Sequence, residues 1–251
     1  MNGSPLISVV VPAHNEEKYL ALCLESVKRA AAALPDRNAA SGGVETVVVA
    51  NRCTDRTEEI AESFGAVVVR NDARSIAQVR NAGIRASLGE IVVTIDADSV
   101  MSEQALCEVA EMLESGKYIG GGTRVKFSRM SVGIFFSAMY VAWNLIPIML
   151  RNKAALSGGM FWFRRRDFDA VGGFDESLVS LEDMDFAMRL NELGVSVGKR
   201  YGTLKKSCIV TSSRKFDTFG DWYLIRDRRL TKRIFTGRDR EAADKFYYDV
   251  R

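Results

Sequence analysis

The sequence predicts an α/β fold with a mostly parallel central sheet flanked by helices. Short β-branched runs alternate with helical segments along the chain, which is typical of strand–helix–strand units. The run Ile91–Ile95 has no polar residue except Thr94, as expected of a central strand that is buried on both faces. With 251 residues, of which 47% are apolar, the chain can fill one substantial core, so we expect a single domain over residues 1–251.

The spacing of apolar residues places the individual elements. In the first half we expect strands at 7–11, 45–50, 67–69 and 91–95, with helices at 16–33, 57–64, 76–87 and 102–113. In the second half we expect strands at 118–127, 160–163 and 208–210 and a helix at 182–193. Gly194 is placed to end that last helix, since glycine readily adopts the left-handed conformation found at helix C-termini.

The composition excludes several classes of function. The net charge of +3 is small for this length and predicts no nucleic-acid partner. The four cysteines are scattered without a C-x-x-C pair, and His14 is the only histidine, so we expect neither a zinc site nor a disulfide framework. Reduced thiols predict a cytoplasmic setting, and the short polar segment 1–6 predicts no secretory signal.

The segment 132–150 is unusual because its nineteen residues carry no formal charge, which is near the length of a membrane span. Trp143, Asn144 and Pro147 interrupt its apolar character. A crossing is excluded if the acidic residues before and after it belong to one site. Our first interpretation is a buried helix, and the second is a helix that lies in a membrane interface.

Asp96 and Asp98 directly follow the strand 91–95. Because side chains alternate along a strand, two carboxylates two residues apart leave its end on the same side. Two hard oxygen ligands at the carboxyl end of a buried strand suit a divalent cation such as Mg²⁺ or Mn²⁺, completed by water and phosphate oxygens. The alternative is a solvated turn in which Asp98 caps the next helix.

The turns after the first two strands carry polar side chains but no glycine-rich phosphate loop. Asn15 is placed to cap the next helix, with Glu16 and Glu17 favourable to its dipole. Asp55 is placed either to cap a helix or to accept a hydrogen bond from a nucleotide base or ribose. Arg80 has donors suited to phosphate or ribose oxygens, with an exposed helical arginine as the alternative.

Two later segments are also candidates. Glu182 and Asp183 open a helix whose apolar stripe would anchor it, which leaves the pair available as a general base; simple charge complementarity to the helix dipole is the alternative. The segment 211–215 contains a basic pair placed to reach a diphosphate or, equally, to form a solvated loop. The aromatic and basic tail 221–248 fits either packing on the core, which we prefer, or an anionic membrane surface.

Together these motifs resemble the ordered signature of family two glycosyltransferases of GT-A fold. The resemblance runs from residue 7 to about residue 190 and rests on five segments in order: Ser8–Glu16, Asn51–Thr57, Arg80–Gly83, Asp96–Asp98 and Glu182–Asp185. It implies a Rossmann-like domain with a nucleotide-sugar-binding half at about 1–115, an acceptor-side half at about 116–215 and a helical tail at about 216–251.

The resemblance also implies an activity: metal-dependent transfer of a sugar from a UDP- or GDP-sugar to an acceptor hydroxyl, with inversion. The implied metal ligands are Asp98 and Asp96, and the implied base is Asp183, with Glu182 the next candidate. The implied donor-binding residues are Pro12, Ala13, Asn15, Glu16, Asn51, Asp55, Arg80, Asp96 and Ala97. On the acceptor side, the resemblance implies Gly158, Gly159 and Met160.

The second motif departs from the family, because Arg52-Cys53 stands where small residues are common, and this leaves the donor base open. The acceptor is also open, with a lipid-linked hydroxyl among the compatible classes. Peripheral attachment to the inner face of the membrane is an alternative to a purely cytoplasmic location. Two rival functions remain: a sugar-phosphate nucleotidyltransferase, and a non-catalytic module that binds a nucleotide or a membrane.

Overall fold

The computed structural model of the protein describes residues 6–35, 43–152, 159–227 and 239. Its strands are β1 (Ile7–Ala13), β2 (Val44–Asn51), β3 (Val67–Asn71), β4 (Ile91–Ile95), β5 (Ser99–Met101), β6 (Tyr118–Phe127), β7 (Met160–Arg164) and β8 (Arg200–Thr211). Its helices are α1 (Leu20–Ala32), α2 (Thr57–Ser63), α3 (Ile76–Ala86), α4 (Ala105–Glu114), α5 (Val132–Asn152), α6 (Arg165–Val171), α7 (Glu182–Ser196), α8 (Arg214–Phe219) and α9 (Tyr223–Arg226).

The described strands form one sheet in the order β3-β2-β1-β4-β7-β6-β8-β5. Its first half is parallel, since β1 pairs in parallel with both β2 and β4, and β2 pairs in parallel with β3. All residues of β1 and β4 are buried, as predicted for central parallel strands. Because these strands all run the same way, the loops that follow them meet at one edge of the sheet.

The second half of the sheet is mixed. Strand β7 is antiparallel to β4 and β6, β6 is parallel to β8, and the short β5 is antiparallel to β8. Apolar clusters fill both faces, one including Leu24, Leu106 and Trp162 and the other including Phe161, Phe174 and Phe186. The predicted α/β class with a mostly parallel, helix-flanked sheet is confirmed.

Glycines permit a close approach of β6 to β8. Gly121 pairs with Gly202, and a Cβ on Gly121 would lie 2.2 Å from the Gly202 carbonyl oxygen. The space beside them holds the fully buried indole of Trp162, whose Nε1 donates a hydrogen bond to the Gly122 carbonyl at 2.8 Å. The close packing of β6, β7 and β8 therefore depends on a glycine pair and on one large aromatic residue.

Three predicted helix boundaries were wrong by three or more residues, and one of them is the start of α4, which lies at Ala105 rather than at residue 102. Helix α1 begins at Leu20 rather than at Glu16, because residues 16–19 form a turn in which the Tyr19 N–H donates to the Glu16 carbonyl at 3.0 Å. Gly194 does not end α7, which continues to Ser196. A Cβ at position 194 would lie 2.8 Å from Ile119 Cγ2, so this glycine allows α7 to pack closely on β6.

Strand β8 is much longer than the predicted 208–210, and its register with β6 shifts near the middle. At that irregularity the backbone N–H groups of residues 205, 206 and 207 donate to the carboxylate of Glu108 on α4, at distances from 2.6 to 3.2 Å. These bonds lower the pKa of Glu108, although its burial alone would raise it. A single buried carboxylate thus satisfies backbone donors that the shifted strand leaves unpaired.

Helix α5 covers the apolar segment 132–150 but is not buried as predicted. Trp143 is 73% exposed and Phe135 54% exposed, whereas Ile134 is fully buried. The side chains of residue 145 and of residues 147–152 lie outside the description. Helix α5 packs along one side on residues 221–222, which leaves its other side open. Across the part of the chain that the structure describes, no helix combines the length and apolarity needed to cross a bilayer.

The predicted C-terminal tail, residues 216–251, is described only in part. The end of α8 and helix α9 fall within it. Residues 228–238 and 240–251 lie outside the described residues, so the rest of that prediction is not tested.

Candidate active site

The predicted donor-side loops meet at the edge where β1, β2 and β4 end. Pro12 and Ala13 are the last residues of β1 and pair with Val49 and Ala50 of β2. Asn51 ends β2 and is buried, and its Nδ2 donates hydrogen bonds of 2.8 Å to the carbonyls of Asn71 and Ala73. The Asn51 side chain therefore holds the ends of β2 and β3 together.

Asn15 connects the first loop to the second. Its backbone is left-handed, with φ of 51°, and its Oδ1 accepts a hydrogen bond from the Thr54 N–H at 2.8 Å. The prediction that Asn15 caps helix α1 was wrong, because that helix begins five residues later and the side chain is engaged elsewhere. The effect is to bring the Asp55 loop beside the end of β1.

Asp55 performs the capping role that was one of its two predicted functions. Its Oδ1 accepts from the backbone N–H and hydroxyl of Thr57 at 3.0 and 2.6 Å, and its Oδ2 accepts from the Glu17 N–H at 3.0 Å. Burial raises the pKa of this carboxyl, but the donated hydrogen bonds outweigh it and the pKa is lowered. The carboxylate is therefore ionised and fixed in place at the sheet edge.

Asp96 and Asp98 follow β4 on the same side, as the alternation of strand side chains predicts. Ala97 between them is 2% exposed and packs in the core. Asp96 Oδ1 lies 2.9 Å from Arg80 Nη2, and Asp98 Oδ2 lies 3.0 Å from Arg214 Nη2. Each aspartate is thus ion-paired with a different arginine, and neither is a simple solvated turn residue.

Arg80 is a buried ion-pair residue, not the exposed helical arginine of the alternative interpretation. Besides Asp96, its Nη1 contacts Glu182 Oε1 at 2.6 Å, and its guanidinium lies over the rings of Phe161 and Phe174. Burial disfavours its charge, but the nearby carboxylates raise the pKa of Arg80 overall. Arg80 therefore joins helix α3 to the end of β4 and to the start of α7.

Arg214 forms the matching contact on the other side of Asp98. Its two Nη atoms lie 2.7 and 2.8 Å from the carboxylate oxygens of Glu16, which is 1% exposed. The guanidinium also lies over the ring of Tyr19. The alternative interpretation of this segment as a solvated loop was wrong for Arg214, because β5 pairs with β8 and the Ser212 N–H donates to the Asp98 carbonyl, which brings this segment beside Asp98.

The start of helix α7 contributes Glu182 and Asp183. Glu182 is buried against Arg80, and burial together with nearby acids raises its pKa to about 7 despite that arginine. Asp183 is half-buried, and its Oδ1 accepts from the Met184 N–H at 2.8 Å. Asp183 is also near enough to Arg80 to help raise the pKa of that guanidinium. Both acids therefore lie in the first turn of α7, but Glu182 is buried against Arg80 whereas Asp183 is half-buried.

The predicted acceptor-side turn is described for two of its three residues. Gly158 lies outside the described residues. Gly159 has a left-handed backbone with φ of 76°, and a Cβ there would lie 3.1 Å from Asp96 Oδ2. Met160 is fully buried and pairs with Ile95 in the sheet. Gly159 thus passes directly beside Asp96 with no side chain between them.

A cleft opens between these groups. Four predicted site residues line it: Arg80, Asp96, Asp98 and Glu182. The other lining residues are Arg74, Ile76, Phe127, Val179, Thr211, Ser212, Arg214, Lys215 and Phe216. The described residues that line the cleft do not include Asn15, Asn51, Asp55 or Asp183. Sequence reasoning missed Glu16 as the partner of Arg214, and no local signal indicated it.

The two aspartates fit the donor set of a divalent cation. Mg²⁺ is commonly held by one or two protein carboxylates, with water and substrate phosphates as the other ligands. The described residues contain no group of three or more histidine, cysteine, aspartate or glutamate side chains able to hold a metal by themselves. Two hard carboxylates beside a cleft lined by cationic side chains therefore suit a cation whose coordination is completed by a phosphate-bearing substrate.

Comparison with known proteins agrees with this geometry. Residues 8–172 match the sequence family described as Glycosyl transferase family 2. The chain is 35% identical over 113 residues to the low-salt glycan biosynthesis hexosyltransferase Agl6 of Haloferax volcanii, covering 45% of this chain and 26% of that protein. It is 25% identical over 201 residues to the glycosyltransferase AglE of the same organism, covering 77% and 64%. The chain thus spans less than two thirds of either relative.

Solved structures show the same fold at low identity. The mannosyltransferase PcManGT from Pyrobaculum calidifontis, in complex with GDP-Man and Mn²⁺, has a TM-score of 0.62 and 18% identity, covering 98% of this chain and 71% of that one. S. aureus TarS 1-349 in complex with UDP-GlcNAc has a TM-score of 0.61 and 19% identity, covering 97% and 71%. The chain has the GT-A fold and belongs to glycosyl transferase family 2.

Proposed function

We propose that this protein transfers a sugar from a nucleotide diphosphate sugar to an acceptor hydroxyl, with inversion at the anomeric carbon. The observation that carries the proposal is the cleft in which Asp96 and Asp98 face the start of helix α7, with Arg80 between them. One side of this cleft offers ligands for a cation and a diphosphate. The other side offers acids able to accept a proton.

The donor side is argued from charge. A nucleotide diphosphate needs cationic partners, and Arg74, Arg214 and Lys215 all contribute to the cleft wall. Asp96 and Asp98 would hold Mg²⁺ or Mn²⁺, which when bound stabilises negative charge on the departing diphosphate. The nucleoside part would lie towards Asn15, Asn51 and Asp55, at the edge where β1 and β2 end. The related structures with UDP-GlcNAc and with GDP-Man and Mn²⁺ support this donor class.

The acceptor side is argued from the burial and hydrogen-bond partners of the two acids at the start of α7. Asp183 is our proposed base because it is half-buried and has no arginine among its hydrogen-bond partners that the structure describes, while Glu182 is held by Arg80 at 2.6 Å. A base on the opposite side of the sugar from the leaving diphosphate takes the acceptor proton in one displacement, which inverts the anomeric carbon. Glu182, with its pKa raised to about 7, is the second candidate.

The test combines donor binding with turnover. Thermal shift with UDP-glucose, UDP-GlcNAc and GDP-mannose, each with Mn²⁺ or with EDTA, should show a rise in melting temperature that needs the cation, because a ligand that binds only the native state stabilises it. Asp98→Ala should lose this shift. Asp183→Asn should keep it while losing about 10²–10⁴-fold of transfer, the usual contribution of a general base.

The matched control is Asp185→Asn, on the same helix turn, where the carboxylate is paired with Arg189 at 2.6 Å. This variant should keep both donor binding and transfer. Near-normal transfer by Asp183→Asn would remove Asp183 from the base role. Release of pyrophosphate rather than nucleoside diphosphate would indicate the rival nucleotidyltransferase, and the absence of any donor-dependent shift would overturn the proposal.

A further inference from the structure

Helix α5 presents a continuous apolar stripe to solvent. Trp143 is 73% exposed, Val132 69% and Phe135 54%. These residues and three others recur at helical spacing, so they lie on one face: Val132, Phe135, Phe136, Met139, Trp143 and Ile146. Isolated exposed apolar residues are ordinary, but a contiguous stripe of this size marks an interaction surface.

The stripe is not the result of a helix that lies detached from the protein. The inner side of α5 is held by Asp221, whose backbone carbonyl accepts from Ser137 Oγ at 2.6 Å and whose carboxylate accepts from Ser131 Oγ at 2.5 Å. Ile134 is fully buried on that side. Trp222, itself 46% exposed, stacks on Phe136 with a centroid distance of 6.0 Å and so extends the stripe.

The sequence on both sides of helix α5 is basic. Lys126 and Arg129 precede the helix, Arg151 and Lys153 stand at its end, and residues 126–153 contain no aspartate or glutamate. Arg129, just before the helix, is already paired with Asp217 and Asp221. The rest of this basic character favours an anionic partner.

We propose that the outward face of α5, extended by Trp222, binds the surface of an anionic lipid bilayer, with the helix lying in the interfacial plane. Tryptophan and phenylalanine on one face with lysine and arginine at the borders is the composition that such helices use. A second copy of this chain is a poorer occupant. Self-association through the stripe would bring two basic surroundings together, and like charges oppose such contact.

Flotation with lipid vesicles tests this proposal. The full chain should float with vesicles of phosphatidylglycerol and remain unbound with vesicles of phosphatidylcholine, and binding should weaken as salt is raised. Phe135→Ser combined with Trp143→Ser should reduce the fraction bound by at least about tenfold, because two large apolar side chains no longer enter the interface. The melting temperature should not fall, since both residues are exposed in the protein alone.

The matched control is Leu22→Ser combined with Val195→Ser, which removes apolar side chains that are 61% and 65% exposed on other helices. That variant should bind vesicles as the unchanged chain does. Equal loss in both double variants, or equal binding to both lipids, would overturn the proposal. So would concentration-dependent dimerisation in sedimentation that the Phe135 and Trp143 substitutions abolish, with no vesicle binding. Donor-dependent thermal shifts on the same samples report on the proposed transfer reaction separately.

Discussion

Two buried arginines flank the Asp96-Ala97-Asp98 segment, and their surroundings differ in one important way. Arg214 joins Asp98 to Glu16, so one guanidinium meets two carboxylates. Arg80 joins Asp96 to Glu182 and also lies in the field of Asp183, so one guanidinium serves three acids. The Arg80 side therefore carries the larger excess of negative charge.

This excess has a chemical consequence. It contributes, with burial, to raising the pKa of Glu182 to about 7, so proton affinity is concentrated at the start of α7. The Arg214 side is closer to neutral and has Lys215 beside it in the cleft wall. Proton acceptance is thus favoured on the Arg80 side of the cleft, and anion binding is favoured on the Arg214 side. The proposed transfer reaction requires both a proton acceptor and an anion-binding group.

The largest expected effect is that of removing Arg80. Arg80→Met leaves Glu182 buried without its arginine, and breaking a buried pair in this way costs about 3–5 kcal/mol of unfolding free energy. Urea denaturation measures this loss. Arg85→Met is the matched control on the same helix, since its pair with Glu176 is largely exposed and should contribute about 0–1 kcal/mol. Similar losses for both variants would contradict the role assigned to Arg80.

Removing Arg214 should cost somewhat less. Arg214→Met deprives the buried Glu16 of its two-point contact, but Arg214 meets two acids rather than three, so we expect about 3 kcal/mol, the low end for a broken buried pair. It should also weaken the donor-dependent thermal shift, because Arg214 lines the cleft. The control is Arg56→Met, whose contact with Glu17 is exposed. An unchanged donor shift in Arg214→Met would place this arginine in a structural role alone.

The raised pKa of Glu182 predicts a pH dependence of stability. The folded state binds this proton more tightly than the unfolded chain, so stability is fully present below pH 4.5 and is lost as the pH rises through about 7. Glu182→Gln should remove that loss, about 3 kcal/mol between these limits. Denaturation of both proteins at several pH values gives the difference. Glu25→Gln, in an exposed pair with Arg29, should leave the profile unchanged.

Glu108 provides a contrast with both arginine-paired sides, because backbone N–H groups rather than an arginine stabilise it. Its lowered pKa has the opposite sign: its contribution to stability is present above pH 4.5 and is lost as the pH falls below that value. Glu108→Gln should cost about 1.5 kcal/mol at neutral pH and flatten the acid limb of the stability profile. Glu111→Gln, on the same helix in an exposed pair with Lys206, is the control. Equal acid sensitivity in both variants would refute this role.

The sequence predicted several strands in both halves of the sheet well. The bounds of β4 and β6 agree with the structure to the residue, because uninterrupted apolar runs and glycine clusters mark these strands clearly. That Asp96 and Asp98 leave β4 on the same side followed from a local rule, the alternation of strand side chains, whereas Arg80 and Glu182 were assigned to the same site through the family resemblance. The direction of side chains that directly follow a strand can therefore be predicted from the local sequence, without knowledge of long-range contacts.

The parts that escaped prediction depend on pairings between distant segments. Arg214 reaches Asp98 only because the three-residue strand β5 pairs with β8, and a strand so short leaves no periodic pattern in the sequence. The exposure of helix α5 also escaped prediction, because it too depends on distant segments. Its apolar residues look like those of a core helix, and only the absence of a described neighbour on its outer side distinguishes the two. Whether a helix face is buried depends on the segment that packs against it, and the local sequence of the helix does not specify that segment.

The paired glycines Gly121 of β6 and Gly202 of β8 differ in how well each position can accept a larger residue. A Cβ at Gly202 would meet Met112, Tyr118 and Trp162 at 2.8 to 3.1 Å, all through side-chain atoms that smaller residues could relieve. A Cβ at Gly121 would meet the Gly202 carbonyl oxygen at 2.2 Å, and no side-chain replacement can move that atom. Position 202 is therefore open to compensated substitution during divergence, whereas position 121 is closed to it.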